Sequence, residues 1–300
     1  MCIELTVRRV VPNRKACNLT GLLVLFYGID HQYAYGRGIG VHSAQTIPGV
    51  EEQPARSSRA KCLSVIVPVY NEAAHLDDLL RAVLASPVHK EIIIVDDGST
   101  DGTREKLEAL PHIENVRIVF HERNYGKGAS IRTALKYACG EYVLIQDSDL
   151  EYDPADYPAL IAPLQRDETN IVYGVRPDRP ERGLRFFLGA KFLTHLTNLL
   201  YGANIHDEAT CYKVFRRSLL AQIRLECRRF EFCPEVTAKL CRMGETVTEV
   251  PISYHPRSRA QGKKIRHSDG WLAIWTLIRY RFLPRRRWIA HRPGTGHRAA

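Results

Sequence analysis

The sequence lacks several features that would have settled its class at once. No stretch approaches the ~20 consecutive apolar residues that a bilayer-spanning helix needs. The apolar run 21–29 is too short for that. No small-residue cleavage site follows it, so neither a membrane span nor a secretory signal is expected. Eight cysteines lie scattered at 2, 17, 62, 139, 211, 227, 233 and 241 with no Cys-x-x-Cys pair, and the order of Cys and His does not match a zinc site. Reduced thiols in a cytoplasmic protein are the expectation. The absence of an internal repeat excludes a solenoid. Acids are nearly missing from one region: residues 257–300 hold twelve Lys or Arg and the single acid Asp269, whereas residues 1–256 carry a net charge of −1. The overall charge of +10 therefore belongs to the C-terminal segment. Such a segment suits an anionic surface, namely lipid head groups, a phosphate-bearing substrate or nucleic acid; a solubilising extension is the plain alternative.

What is present is an ordinary globular composition, 45% hydrophobic and 25% charged over 300 residues, enough for a sizeable core. Residues 1–60 show no sustained periodicity. Two readings stand for them: a poorly ordered leader or upstream extension, and an ordered capping segment. From Cys62 the pattern alternates. Strands are expected at 63–67, 91–95, 116–120, 142–145 and 170–174. Helices are expected from Leu76 to Leu84, from Thr103 to Leu110, and from the Asn124-Tyr125-Gly126-Lys127-Gly128 segment to about Cys139. A longer amphipathic helix is expected over 185–201, then strands over 212–215 and 246–254. Alternating strands and helices imply a mainly parallel α/β sheet with right-handed crossovers. Ligands of such sheets bind at the carboxyl ends of the strands.

Polar clusters sit at four of those ends, after the strands at 63–67 (Pro68-Val69-Tyr70-Asn71-Glu72), 91–95, 116–120 and 142–145. Asp147-Ser148-Asp149 with Glu151 closes the strand 142–145. Carboxylates at this spacing suit a hard divalent cation that also takes phosphate oxygens, although an acidic turn is the bland reading. Asp96-Asp97-Gly98-Ser99-Thr100-Asp101-Gly102 reads as a turn and helix cap, or as a carboxylate accepting from a base or ribose. Gly126-Lys127-Gly128 at a helix start suits an anion, or is simply a turn. Arg257, Arg259, Lys263, Lys264 and Arg266 follow a strand and precede a face carrying Trp271, Leu272, Ile274, Trp275, Leu277 and Ile278. An anion clamp beside a lipid interface is one reading of that segment. Core packing explains Trp271 and Trp275 equally well. His75, His112, His195 and His206 show no ligand spacing.

Taken together, Ser64–Glu72 (SVIVPVYNE), Val95–Thr103 (VDDGSTDGT), Gly126–Gly128 and Asp147–Pro154 (DSDLEYDP) resemble the family 2 glycosyltransferases of the GT-A fold. Tyr173–Arg176, His206–Lys213, Phe230–Glu235 and Val250–Lys264 resemble the branch that includes dolichyl-phosphate mannose synthase and other polyprenyl-phosphate glycosyltransferases. The resemblance covers about residues 62–270. It implies one catalytic domain, at 61–256, followed by a basic loop, amphipathic helix and tail over 257–300. It implies that Pro68, Tyr70, Glu72, Val95 and Asp97 hold the nucleoside. It places Mg²⁺ or Mn²⁺ on Asp147, Asp149 and Glu151, with Ser148 beside the diphosphate. Arg176, Arg185, Arg257 and Lys264 would bind phosphates, and Asp149, Arg176 and Arg185 would carry catalysis. The implied reaction is an inverting transfer of a hexose from a nucleotide sugar (GDP-mannose or UDP-glucose type) to a polyprenyl phosphate, at the cytoplasmic face of a membrane held peripherally. No nucleic-acid partner is expected.

Val175 stands where relatives usually have Ser, and Cys211 and Lys213 stand for a Gly and an Arg, which leaves the sugar and acceptor pocket open. The Gln-x-x-Arg-Trp motif of processive synthases is absent. A soluble glycan, sugar or protein acceptor, a nucleotidyltransferase and a non-catalytic binding module are the alternatives.

Overall fold

Strands that are buried on both faces read as continuous apolar runs, and that is how the central strands of this chain read. A computed structural model describes residues 8–9, 62–177, 184–257 and 267–290. Its strands are β1 (Arg8–Arg9), β2 (Leu63–Val69), β3 (Lys90–Asp96), β4 (Val116–Phe120), β5 (Tyr142–Ile145), β6 (Ile171–Val175), β7 (Lys213–Arg216) and β8 (Thr248–Pro251). They form one sheet in the order β1-β8-β6-β7-β5-β2-β3-β4. The pairs β2/β3, β2/β5, β3/β4 and β6/β8 are parallel. β7 runs against both β5 and β6, and β1 against β8. The carboxyl ends of β2, β3, β5, β6 and β8 therefore share one edge.

Helices α1 (Leu76–Ala85), α2 (Thr103–Glu108), α3 (Lys127–Leu135), α4 (Tyr157–Gln165), α5 (Leu184–Tyr201), α6 (Arg217–Leu220), α7 (Phe232–Met243) and α8 (His267–Phe282) flank the sheet. Strand alternation divides the core in two. Leu63, Val65, Val67, Ile92, Ile94 and Leu144 pack beneath α1 and α4. Ile66, Ile93, Val95, Val143 and Ile145 pack with α3, α7 and α8 on the other face.

The expected strand over 246–254 is shorter than its apolar pattern, ending at Pro251; Tyr254 returns only as an isolated bridge to Tyr152. The helix expected to reach Cys139 stops at Leu135. Three helices were not expected: α4, the four-residue α6 and α7. α4 is announced by Asp153, whose side chain accepts from Ala155 N–H ahead of the Pro154 turn. α7 begins inside the Phe230–Glu235 segment. The boundary drawn at 256/257 crosses packed structure, because Leu277 and Tyr280 of α8 and the following Trp288 are fully buried in the second core. Apart from β1, the segment read as a leader lies outside the described residues, as do 258–266 with most of the basic cluster. Among the described residues no helix is long and apolar enough to cross a membrane.

Candidate active site

The shared strand edge opens into a cavity of about 820 Å³. The polar clusters at the strand ends supply one wall. Behind β2, Asn71 adopts a left-handed φ of 51° and is locked by the next loop: its N–H donates to Ser99 Oγ at 2.9 Å, and its Oδ1 accepts from Thr100 N–H at 2.8 Å. Asp101 accepts from Ala73 and Thr103 N–H. The VDDGSTDG segment is therefore largely a clasp. Its two adjacent aspartates divide the work. Asp96 is fully buried and paired with Arg104 at 2.9 Å. Asp97 lines the cavity, accepts from Tyr125 N–H (3.0 Å) and Gly126 N–H (2.7 Å), and meets His121 Nδ1 at 2.7 Å. Gly126 needs its φ of 97°, and a Cβ there would fall 2.4 Å from Arg228 O. A Cβ on Gly128 would lie 2.5 Å from Cys227 O. These glycines let the 227–229 loop approach, which accounts for Gly-Lys-Gly without an anion.

Lys127 points instead at the acidic run. Its ammonium pairs with Asp147 Oδ1 and donates to Cys211 Sγ at 2.8 Å. Burial opposes that charge, but the attraction and hydrogen bond of Asp147, together with Cys211 and Cys233, outweigh it, and the lysine stays protonated well above its ordinary range. Burial, then the charges of Asp147 and Glu151, push the Asp149 carboxyl up to about 7, against one hydrogen bond from Glu151 N–H and the attraction of Arg257. Glu151 is drawn to the far wall: Oε2 accepts from Tyr254 Oη at 2.7 Å and Oε1 from Arg257 N–H at 2.8 Å. The Arg257 guanidinium reaches Glu72 Oε2 at 3.1 Å, so Arg257 ties the β2 turn to the end of the acidic run. Arg176 leaves the end of β6 and is gripped by Asp207 at 2.7 and 2.8 Å, with Tyr254 beneath it. Asp207 is placed in turn by Glu249 of β8, which accepts from His206 N–H at 2.7 Å and pairs with its ring.

The cavity thus gathers Pro68, Tyr70, Glu72, Asp97, Asp147, Ser148, Asp149, Glu151, Arg176 and Arg257. Val95 is a correction: it is fully buried in β3 within the second core and is not part of the lining. Arg185 lies in α5, with its side chain outside what is described, and Lys264 lies outside the described residues. Among the described residues no three His, Cys, Asp or Glu side chains converge closely enough to hold a metal alone. A cation here would need ligands from a bound phosphate as well, which is how Mg²⁺ is ordinarily held. The donor chemistry fits such a cation, since Asp149 carries carboxylate repulsion that a dication would relieve.

Sequence reasoning missed Asp207 and Glu249, which act behind Arg176, and the new role of Lys127. It also missed Glu235. That carboxylate is fully buried on α7, accepting from Glu226 and Cys227 N–H, from Tyr280 Oη, and from Lys239 Nζ at 2.5 Å. It pins the loop carrying Arg229 and Phe230 into the cavity wall. The signal was present in the Phe230–Glu235 segment, which was matched as a pattern without a physical role.

The opposite lip is apolar. Phe192, Leu193, Trp271, Ala273 and Ile274 line it, from α5 and α8. Trp271 is 75% exposed, Phe192 55% and Trp275 48%, so core packing does not explain these tryptophans.

The profile of "Glycosyl transferase family 2" matches residues 64–224. A "Dodecaprenyl-phosphate galacturonate synthase" of Rhizobium johnstonii is 29% identical over 207 residues, covering 67% of this chain and 61% of the relative. An "Undecaprenyl-phosphate 4-deoxy-4-formamido-L-arabinose transferase" of Pseudomonas fluorescens is 31% identical over 215 residues, covering 67% and 60%. The chain spans about three fifths of these relatives' length. Among solved structures, glucosyl-3-phosphoglycerate synthase from Mycobacterium tuberculosis with Mn²⁺, UDP-glucose and phosphoglyceric acid superposes with a TM-score of 0.60 at 21% identity, covering 78% of this chain and 86% of that one. That likeness is one of fold, a mixed, mostly parallel α/β sheet of the GT-A kind.

Proposed function

This chain belongs to glycosyl transferase family 2, and on that premise we propose that it moves a sugar from a nucleotide-sugar donor to a polyprenyl phosphate at a membrane surface. The carrying observation is one cavity with two unlike lips: carboxylates facing Arg176 and Arg257 at the sheet edge, and exposed aromatic side chains of α5 and α8 opposite. A uridine donor is favoured over GDP-mannose, because the superposable glucosyl-3-phosphoglycerate synthase holds UDP-glucose.

In this reading Pro68, Tyr70, Glu72 and Asp97 receive the nucleoside. Ser148 lies beside the diphosphate. Asp147 and Asp149, with Glu151 behind them, would hold Mg²⁺ or Mn²⁺, which supplies charge neutralisation on the leaving diphosphate. Arg176 and Arg257 are already oriented by Asp207 and Glu72, so their positive charge is fixed where negative charge gathers. The family pattern adds Arg185 and Lys264 to the phosphate contacts. The acceptor phosphate is anionic near neutral pH, so its oxygen attacks the anomeric carbon without a dedicated base. The bond to the nucleoside diphosphate breaks and the configuration inverts. Catalysis then rests on orientation and electrostatics. The apolar lip takes the first isoprene units and seats the chain on lipid, with Arg279, Arg281 and Arg285–Arg287 near anionic head groups.

The test is a screen of UDP- and GDP-sugars against undecaprenyl phosphate in vesicles with Mg²⁺ or Mn²⁺. The expected products are UDP and a lipid-linked sugar. Release of pyrophosphate would mark a nucleotidyltransferase. Transfer to water-soluble phosphates alone would remove the lipid acceptor.

A further inference from the structure

Two cysteines sit on the cavity wall next to the acidic run. Cys211 lies in the loop before β7 and Cys233 in the first turn of α7, and both line the cavity. Cys211 is fixed from two sides, with its N–H donating to Tyr152 Oη at 3.0 Å and its sulfur accepting from Lys127 at 2.8 Å. The Cys233 sulfur reaches Thr210 O at 3.8 Å, so it is held against the loop that carries Cys211. We propose that Cys211 and Cys233 form a modification site, taking a peroxide as oxidant and closing to a reversible disulfide at the metal end of the cavity.

The neighbourhood suits that chemistry. Cations favour a thiolate, the nucleophilic form. The hydrogen bond from Cys211 brings the Cys233 thiol down to about 6 against the effect of burial, with Lys213 and Lys127 adding their attraction. The Cys233 thiolate attacks one peroxide oxygen and the O–O bond breaks. Sulfenic acid forms, and hydroxide leaves to take up a proton as water. The Cys211 sulfur then attacks the Cys233 sulfur, the S–O bond breaks, and a second water departs with the Cys211 proton. Two thiols are oxidised by two electrons while one hydrogen peroxide is reduced to two waters. A dithiol reverses the exchange.

The site lies where closure has consequences. Cys211 Sγ is lost as a partner of Lys127, leaving the ammonium to Asp147 alone. That ion pair competes with any cation for Asp147. The bridge also ties the 206–212 loop, which carries the Arg176-gripping Asp207, to α7. The effect on transfer rests on the function proposed above; the reactivity of the pair does not.

The experiment treats the full chain with a small excess of hydrogen peroxide, blocks free thiols and digests with trypsin. Cys211 and Cys233 fall in separate peptides, 192–213 and 230–239, with one cysteine each. The expected result is a joined species two hydrogens lighter than the sum of the reduced peptides, separated by dithiothreitol. It should be lost in Cys233→Ser and kept in Cys139→Ser, which removes an exposed thiol. Mn²⁺ affinity, followed by the paramagnetic resonance of free Mn²⁺, should fall about ten-fold on oxidation, as for loss of an outer-shell partner, and return on reduction. Recovery of the two peptides unlinked, or of Cys211 joined to any other cysteine, overturns the proposal. A linked pair with unchanged Mn²⁺ affinity overturns the coupling to Asp147. Joined peptides in a chain that transfers no sugar would sink the proposed function and leave the thiol chemistry standing.

Discussion

On the sheet side of the cavity, Asp97, Asp147 and Asp149 leave the ends of strands buried on both faces. On the helical side, Phe192, Trp271 and Ile274 are presented by α5 and α8, whose outer surfaces are apolar and exposed. The first wall is rigid because its backbone sits inside a ladder, so side chains at strand ends inherit fixed positions. That rigidity is what holding a dication and a diphosphate requires. The second wall is joined to the sheet through a few buried contacts, chiefly Leu277, Tyr280 and the Glu235 network. It shows water the residues a soluble domain hides. The two lips thus match the two ends of the proposed reaction, a charged donor and a greasy acceptor.

The contrast is most sharply tested by Asp149→Ala. Sugar transfer should fall by about 10³-fold, the scale of losing a preorganised charge-stabilising group. The melting temperature of the metal-free protein should hold or rise, since a carboxylate repelled by Asp147 and Glu151 has been removed. Near-normal transfer would detach the acidic run from catalysis. The helical wall should break differently. Glu235→Ala leaves Lys239 buried without its partner and frees the 226–230 loop, so stability should drop by ~3 kcal/mol in denaturant titration. A loss below ~1 kcal/mol would mean the wall does not hang on this carboxylate.

The same contrast explains what was legible. Strands β2, β3, β5 and β6 were readable because burial on both faces leaves continuous apolar runs, and their polar ends stood out against them. Direction of influence was not readable. Asp96 and Asp97 are adjacent in sequence, yet one is a buried partner of Arg104 and the other organises the 124–126 turn at the cavity. Val95 was placed at the nucleoside by the family resemblance, but β3 is buried on both faces and its side chain packs in the second core. Lys127 and its glycines were read as an anion site or a turn, and neither reading caught the ion pair, because nothing local reveals that Asp147, twenty residues on, comes to face it. α7 escaped notice because Cys233 and Pro234 blur its helical periodicity.

A third measurement separates the walls by pH. Glu208 is fully buried near the end of the 206–208 turn, 3.8 Å from Lys213. Burial outweighs the lysine's attraction and pushes its carboxyl up to about 8. A carboxyl raised in the fold binds protons that the unfolded chain has released. Stability from this group is therefore fully present below the unfolded value of ~4.3 and is lost as pH rises toward 8. Glu208→Gln, which cannot ionise, should be spared that loss. Its stability relative to the parent should climb by about 2.5 kcal/mol between pH 5 and pH 7, rise further toward pH 8 and level off above. A flat difference would show Glu208 ionised in the fold and its ion pair with Lys213 intact.

The smallest effect concerns the apolar lip. Removing the whole segment 271–300 would not isolate it, because Leu277, Tyr280 and Trp288 would go too, and with them the second core. Trp271 makes the cleaner probe: three quarters of it is already in water, so Trp271→Ser costs the fold little. If this lip rests on lipid, each tryptophan buried there contributes ~1.5 kcal/mol. Sedimentation with anionic vesicles should then weaken about ten-fold in Trp271→Ser and further in the double variant with Trp275→Ser. Transfer to a short, water-soluble polyprenyl phosphate should change much less, since the sheet-edge residues are untouched. Raising the salt should weaken both proteins alike, because Arg279, Arg281 and Arg285–Arg287 remain and their attraction to head groups is screened in the same way. Equal sedimentation of parent and variant would assign membrane contact to charge alone and leave the exposed aromatic edge of α8 without a lipid role.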